Sequence, residues 1–177
     1  KLYLYLFVKV KDNAYVPYDK DKIKGETMID NIELFFYPKP EERDLTGTTV
    51  YDSRSKGLSQ LRVSVGNTNN RATGGGYAKG FVVNDVITGY EYATVQTADG
   101  YNVEVVVPWD IVIPEANIGN LAVGKKILFD INVANCTDYA SDRVIILGWS
   151  GDDFHSWKAN SKFGEMEFKG ELSGISE

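Results

Sequence analysis

Four stretches of the chain, residues 31–37, 60–66, 102–107 and 127–135, set polar residues two apart between apolar ones. A two-residue period marks an extended strand with one face buried and the other free to carry polar and aromatic groups. The opening stretch, 3–10, alternates in the same way, with Leu4, Leu6, Val8 and Val10 against Tyr3, Tyr5, Phe7 and Lys9. It stops at Lys11-Asp12-Asn13, residues that favour a turn. The pattern then predicts strands over 32–37, 60–65, 81–83 and 90–96. Asp99-Gly100 is a two-residue hairpin signal that sets 92–97 antiparallel to 101–107. Pro108 ends that strand, and 110–115 makes one helical turn at most. Further strands follow over 127–134, 143–149 and 165–168. The segments 41–59 and 67–80, rich in charged, small, Asn and Gly residues, read as surface connections, and no window of about 11 to 18 residues carries a helical stripe. Short strands separated by Gly, Pro and Asn turns predict an all-β fold, a two-sheet antiparallel β-sandwich. It forms one domain over 1–170, followed by a flexible polar tail, 171–177.

Composition removes several functional classes. The 177 residues are 43% hydrophobic, yet no uninterrupted apolar run approaches the ~20 residues that span a bilayer, so membrane insertion is not expected. Acidic residues number 25 against 19 Lys plus Arg, a net charge of -6 with no basic patch, which speaks against nucleic acid as a partner. Cys136 is the only cysteine, so no disulfide forms within the chain and cysteine usage leaves the compartment open.

The segment Ile29-Asp30-Asn31-Ile32-Glu33-Leu34-Phe35-Phe36 resembles the Asp-Asp-Ser-Val-Glu-Ile-Phe segment of family 9 carbohydrate-binding modules. The same order continues through Gln60-Leu61-Arg62-Val63, residues 97–104 leading to Val107-Pro108-Trp109, residues 124–135, residues 143–149 and Phe163-Gly164-Glu165-Met166. Taken as a set, these segments are specific and span nearly the whole chain. The resemblance implies a β-sandwich attached to a secreted or cell-surface bacterial glycan-degrading enzyme, mostly xylanases, so that the partners are a polysaccharide and a catalytic domain in the same polypeptide. It implies a grip on cellulose- or xylan-type chains between two tryptophans, and structural calcium. The family's Ile-Asp-Gly opening and early strand have no counterpart here, so the N-terminal part of the domain is expected to be trimmed from this sequence.

A sugar ring offers an apolar C–H face and a belt of hydroxyls, so its binding site needs an aromatic platform and forked polar groups. Trp157 lies where the family keeps one stacking tryptophan, ahead of Phe163-Gly164; the alternative is a core or surface indole. Trp149 ends a strand and Trp109 follows a proline, which points both toward the core. The family's other tryptophan falls on Thr27, which cannot stack, leaving Tyr18, Tyr77 or Tyr139 as substitutes from loops. Glu33, Arg62 and Asn132, with Gln60 beside them, face outward from strands whose alternate residues are apolar. They are the expected ligand-binding set, against the alternative of a solvated Glu to Arg ion pair. Ser64 and Ala134 replace hydrogen-bonding groups of the family pattern. Asp12 and Asp30, at strand ends, resemble the family's calcium ligands, with turn residues as the alternative.

The function expected is that of a non-catalytic module that holds plant-type polysaccharide and targets a glycoside hydrolase to it. The runner-up is a structural or adhesion domain without sugar binding. An enzyme would require paired carboxylates, for which Asp138, Asp142, Asp152 and Asp153 are the supply, or a base, for which His155 is the only histidine. A haem or redox sandwich would have only Met28, Met166 and His155 as axial ligands. Gly74-Gly75-Gly76 with Lys79-Gly80 lacks the ending of a phosphate loop.

Overall fold

In a computed structural model of the chain, the residues described are 2–23, 28–45, 57–66, 76–78, 81–83, 89–141, 143, 145–150 and 159–170. Ten strands form among them: β1 (Tyr3–Lys11), β2 (Asn31–Tyr37), β3 (Ser59–Ser64), β4 (Gly76–Ala78), β5 (Phe81–Val83), β6 (Glu91–Thr97), β7 (Gly100–Pro108), β8 (Lys126–Asn135), β9 (Ile145–Gly148) and β10 (Gly164–Glu167). A three-stranded sheet runs β1-β7-β6, and a seven-stranded sheet runs β10-β8-β2-β3-β4-β5 with β9 also paired to β8. All pairings are antiparallel. This is the expected β-sandwich.

The alternation in the sequence becomes the layering of the sandwich. Ile32, Leu34 and Phe36 of β2, Leu61 and Val63 of β3, and Ile127 and Phe129 of β8 meet Tyr101, Val103, Val105 and Val107 of β7 in one core, with Leu4, Leu6, Val8 and Val10 of β1 closing its side. Phe36 stands at the centre, edge-on to Trp109 at 5.7 Å and tilted against Phe129 at 5.3 Å. The odd-numbered residues of β2 point the other way, and there Phe35 and Tyr37 join Leu58, Leu128 and Phe163 in a second apolar cluster. β2 is therefore buried on both faces.

Three elements differ from expectation. The helical turn forms as α1 (Trp109–Val112), and a 3-10 helix over Glu115–Leu121 follows it that no apolar period announces. Strand β4 arises within 67–80, where composition suggested only connection, because an edge strand of three residues is too short to show a period. β9 is shorter than the 143–149 expected.

The β6–β7 hairpin forms where the sequence marks one, but one residue earlier than read: Thr97 pairs with Gly100, so the two-residue loop is Ala98-Asp99 and Gly100 opens β7. Gly100 has φ 146, and a Cβ there would collide with the Val10 carbonyl oxygen and crowd the Asp12 amide at 2.7 Å. A side chain would force β1 away from β7 at the register end Lys11 to Gly100. Gly100→Ala is expected to destabilise the fold by about 2–4 kcal/mol, read as a lowered urea midpoint.

Candidate functional site

Strand register gathers the candidate residues. Glu33 lies directly opposite Arg62 on one side and Asn132 on the other, and Asn132 in turn opposes Gly148 of β9. Arg62, Glu33 and Asn132 thus form one polar row across β3, β2 and β8, on the face turned away from the shared core. Gln60 stands one row along, opposite Phe35. Glu33 Oε1 accepts hydrogen bonds from Arg62 Nε at 3.0 Å and Nη2 at 2.7 Å, and from Arg143 Nη1 at 3.3 Å. Asn132 Oδ1, and Asn31 Oδ1 in the next row, are buried with no hydrogen-bond partner among the described residues. Buried acceptors left open in this way are costly unless something donates to them.

The expectation that these groups stand exposed is corrected. Exposure is 2% for Glu33, 8% for Arg62, 3% for Gln60 and 4% for Asn132. Alternation tells which side of a sheet a residue faces; it does not tell whether that side is covered. Here one end of the same face packs the Phe35, Tyr37, Leu58, Leu128 and Phe163 cluster, and the polar row lies low beside it with little of each side chain in contact with water. The Glu33 to Arg62 contact named as the bland alternative is present, but as a buried pair. Arg143 was not anticipated, since a lone arginine before a short strand has no period to mark it. Asn31 was legible in the β2 alternation as a residue of the Glu33 face.

Trp157 and Thr27 lie outside the described residues, as do His155, Asp142, Asp152 and Asp153. Trp109 is core, 5% exposed, as expected. Trp149 is not: it is 58% exposed. Its position past the end of β9, at the sheet edge, lets the ring lie over Gly164 and against Phe129 at 5.9 Å without being enclosed. Of the tyrosines offered as a second platform, Tyr18 and Tyr139 pack at the end of the sandwich against Val16, Ile29 and Cys136. The Tyr139 hydroxyl donates to the Pro17 carbonyl at 2.7 Å and Lys22 sits over its ring at 5.2 Å. The side chain of Tyr77 lies outside the described residues.

Asp30 is fully buried just before β2 and works as a structural acceptor. Its carboxylate takes the amide N–H of Val16 at 2.7 Å and of Cys136 at 2.9 Å, and its backbone carbonyl takes Val65 N–H at 3.0 Å. Burial, with the Asp12 charge adding to it, raises its pKa from 3.8 to about 6. Asp12 Oδ1 accepts the Ala14 amide at 2.9 Å, while Oδ2 and the nearby Tyr101 hydroxyl are buried without hydrogen-bond partners among the described residues. Asp12 also lines a cleft of about 660 Å³ beside Lys11, Asn13, Tyr15 and Asp99. Among the described residues no group of three or more His, Cys, Asp or Glu side chains gathers to hold a metal. The residues that fit a cation are thus two neighbouring carboxylates, one with a buried oxygen that has no hydrogen-bond partner among the described residues, and a phenol; calcium would need carbonyl or water oxygens besides.

The family model described as carbohydrate family 9 binding domain-like matches residues 1–171. The chain belongs to that family. Two solved family 9 modules from Caldicellulosiruptor kristjanssonii share the fold. The one in complex with glucose has a TM-score of 0.59 at 18% identity, covering 99% of this chain and 75% of that one. The one in complex with cellotriose has a TM-score of 0.61 at 19% identity, covering 98% and 73%. Endo-1,4-beta-xylanase A of Thermoanaerobacterium saccharolyticum is 28% identical over 177 residues, 97% of this family 9 chain and 12% of the xylanase. Exoglucanase XynX of Acetivibrio thermocellus is 28% identical over 178 residues, 98% of this chain and 13% of the exoglucanase. The family 9 domain therefore spans about an eighth of the length of these relatives.

The burial of Glu33 sets a magnitude. An exposed ion pair is worth ~0 to 1 kcal/mol, whereas removing one partner of a buried pair leaves the other charge uncompensated at a cost of about 3 kcal/mol or more. Glu33→Gln, which keeps the shape and removes the charge, is expected to fall in the second class when unfolding is followed in guanidinium chloride.

Proposed function

We propose that this family 9 domain is a non-catalytic carbohydrate-binding module that holds plant-type polysaccharide, xylan or cellulose, and serves a glycoside hydrolase in the same secreted bacterial polypeptide. The observation that carries the reading is the row Arg62, Glu33 and Asn132, with Arg143 on Glu33 and an amide oxygen of Asn132 that has no hydrogen-bond partner among the described residues. Forked guanidinium and amide groups fixed by strand register can offer hydroxyl-matching donors and acceptors with little reorganisation. Gln60 extends the row. The indole of Trp157 supplies the apolar platform against the C–H face of the ring. Xylanase and exoglucanase relatives that contain a matching segment within far longer chains support the accessory role and the secreted setting. Among the described residues no helix is long and apolar enough to cross a membrane.

Glu33 also favours holding over cleaving. A glycosidase uses one carboxyl to protonate the leaving oxygen, whereas Glu33 serves as an acceptor for two guanidiniums. Thr27 in place of a second stacking tryptophan keeps the adhesion-type reading alive, and the two readings part on retention. Trp157→Ala should abolish retention on xylan or cellulose gels with the melting temperature nearly unchanged. Persistent retention removes the indole from the site, and no retention by the parent protein leaves the adhesion reading.

Calcium completes the proposal as a structural ion at Asp12 and Asp30, where it would offset the charge of the half-buried Asp12 and the buried Asp30 and be coordinated by Asp12 Oδ2. Chelation should lower the melting temperature, calcium should restore it, and Asp12→Asn should remove the response; a melting temperature indifferent to chelator overturns the assignment.

A further inference from the structure

β1 ends the three-stranded sheet, and β7 is its one strand partner among the described residues. The Trp109 amide donates to the Leu2 carbonyl at 3.1 Å and the Asp12 amide to the Asp99 carbonyl at 3.0 Å, one step beyond each end of the β1–β7 register. Bonded pairs alternate along an antiparallel ladder, so the even-numbered residues of β1 turn their N–H and C=O toward β7. Tyr3, Tyr5, Phe7, Lys9 and Lys11 turn theirs to the open edge. Residues 3–8 carry neither charge nor proline, the devices that ordinarily keep such an edge from pairing.

On the same side the core is only half closed. Tyr90, just before β6, donates its hydroxyl to the Arg62 carbonyl of β3 at 2.8 Å, and Trp109, just after β7, lies against Phe36 of β2. β1 meets β10 across a cavity of about 430 Å³ lined by Leu4, Trp109, Met166 and Phe168. The seven-stranded sheet thus reaches past β1, and no described strand covers β9. Leu147 stands opposite Val133 on the core-facing side, yet it is 64% exposed, and Ile145 two residues before it is 51% exposed. Leu4, Leu6, Val8 and Val10 of β1 are half-buried, whereas Val103, Val105 and Val107 in the neighbouring β7 are closed off from water. A trough remains between the β1 edge and β9.

We propose that this trough is a binding site for an extended peptide segment from outside residues 1–177, which adds to β1 as a further strand of the smaller sheet. The outward N–H and C=O groups of the odd-numbered residues gain partners along the whole of β1. Alternate apolar side chains of the added strand cover Ile145, Leu147 and the half-buried row of β1, and so complete the core. Charge sets the rest of its chemistry. Lys9 and Lys11 at one end of the trough have no ion-pair partner among the described residues, whereas Glu167 and Lys169 at the other end already pair at 2.6 Å. The added strand is therefore acidic where it passes the two lysines, which become its cross-strand neighbours on the outer face. A second copy of this chain does not fit, because its β1 in that place would bring its own β8 into the space that β9 holds.

The probe is the synthetic peptide Glu-Val-Glu-Val-Thr-Val-Thr-Val-Thr, which antiparallel to β1 sets its glutamates against Lys11 and Lys9 and its valines into the trough. A shuffled peptide of the same composition, with the alternation broken, is the control. The melting temperature of the chain should rise by about 3–6 °C at about ten times the dissociation constant of the probe, and should not move with the shuffled peptide. Amide exchange followed by NMR gives the sharper readout. In the chain alone Leu6 and Val8 should be protected and Tyr5, Phe7 and Lys9 should exchange fast; the probe should slow the second group. Leu147 is exposed, so Leu147→Asp keeps the fold and should weaken the probe about tenfold. Equal effects of the probe and its shuffled form overturn the proposal. So does protection of the Tyr5, Phe7 and Lys9 amides in the chain alone, either by its own residues or by a second copy at concentrations where it sediments as a dimer.

Discussion

A carboxylate in the middle of a strand buried on both faces has to be matched, and the match at Glu33 fixes much of this molecule. Oε1 receives two bonds from Arg62 across the β2–β3 ladder and a third from Arg143, which arrives from the connection before β9. Sliding β3 by one residue along β2 would replace Arg62 opposite Glu33 with Leu61 or Val63, placing an uncompensated charge against apolar side chains and turning the Arg62 guanidinium toward the core. Hydrophobic alternation and ion pairing therefore specify the same register. The same register brings Asn132 to the other flank of Glu33, so the polar row is a consequence of how the seven-stranded sheet pairs.

The ends of the sandwich are tied by a second buried carboxylate. Asp30 accepts amides from the segment after β1 and from the segment after β8, while its own carbonyl holds the end of β3 through Val65. A neutral amide at this position has only one acceptor oxygen and would leave one of the two N–H groups unmatched. The raised proton affinity of Asp30 records the conflict between keeping a charge there and removing it from water, a conflict that an adjacent cation would relieve.

Most of the architecture was legible in the chain because strands of six or more residues carry their period openly. β1, β2, β3, β7 and β8 follow the alternation, and Asp99-Gly100 marks the β6–β7 hairpin. β4 and the 3-10 helix over Glu115–Leu121 were not legible, being short or held by contacts outside themselves. For the site, a period of two correctly placed Glu33, Arg62, Gln60 and Asn132 on one face, and the resemblance to family 9 modules singled them out. It could not say that the face is covered, because coverage depends on segments distant in sequence. Arg143 and the Asp130 to Ser150 link escaped for the same reason, since each joins residues whose proximity only the fold creates. Trp149 shows the converse error: an aromatic residue at a strand end reads as core, yet the glycine opposite it, Gly164, gives it a seat at the sheet edge with its ring still in water.

The two buried carboxylates of the polar face have distinct duties, and the division bears on how a binding module differs from an enzyme built of similar parts. Glu33 organises guanidiniums whose remaining N–H directions are fixed by its grip; Asp130 organises a backbone turn through Ser150. A hydrolytic pair keeps two carboxyls aimed at one bond and tuned apart, one ready to give a proton and the other to attack or to activate water. Here each of the two accepts from protein donors, Glu33 from the Arg62 and Arg143 guanidiniums and Asp130 from the amide and hydroxyl of Ser150. The buried charge that stabilises the register thus also fixes the guanidiniums that surround it.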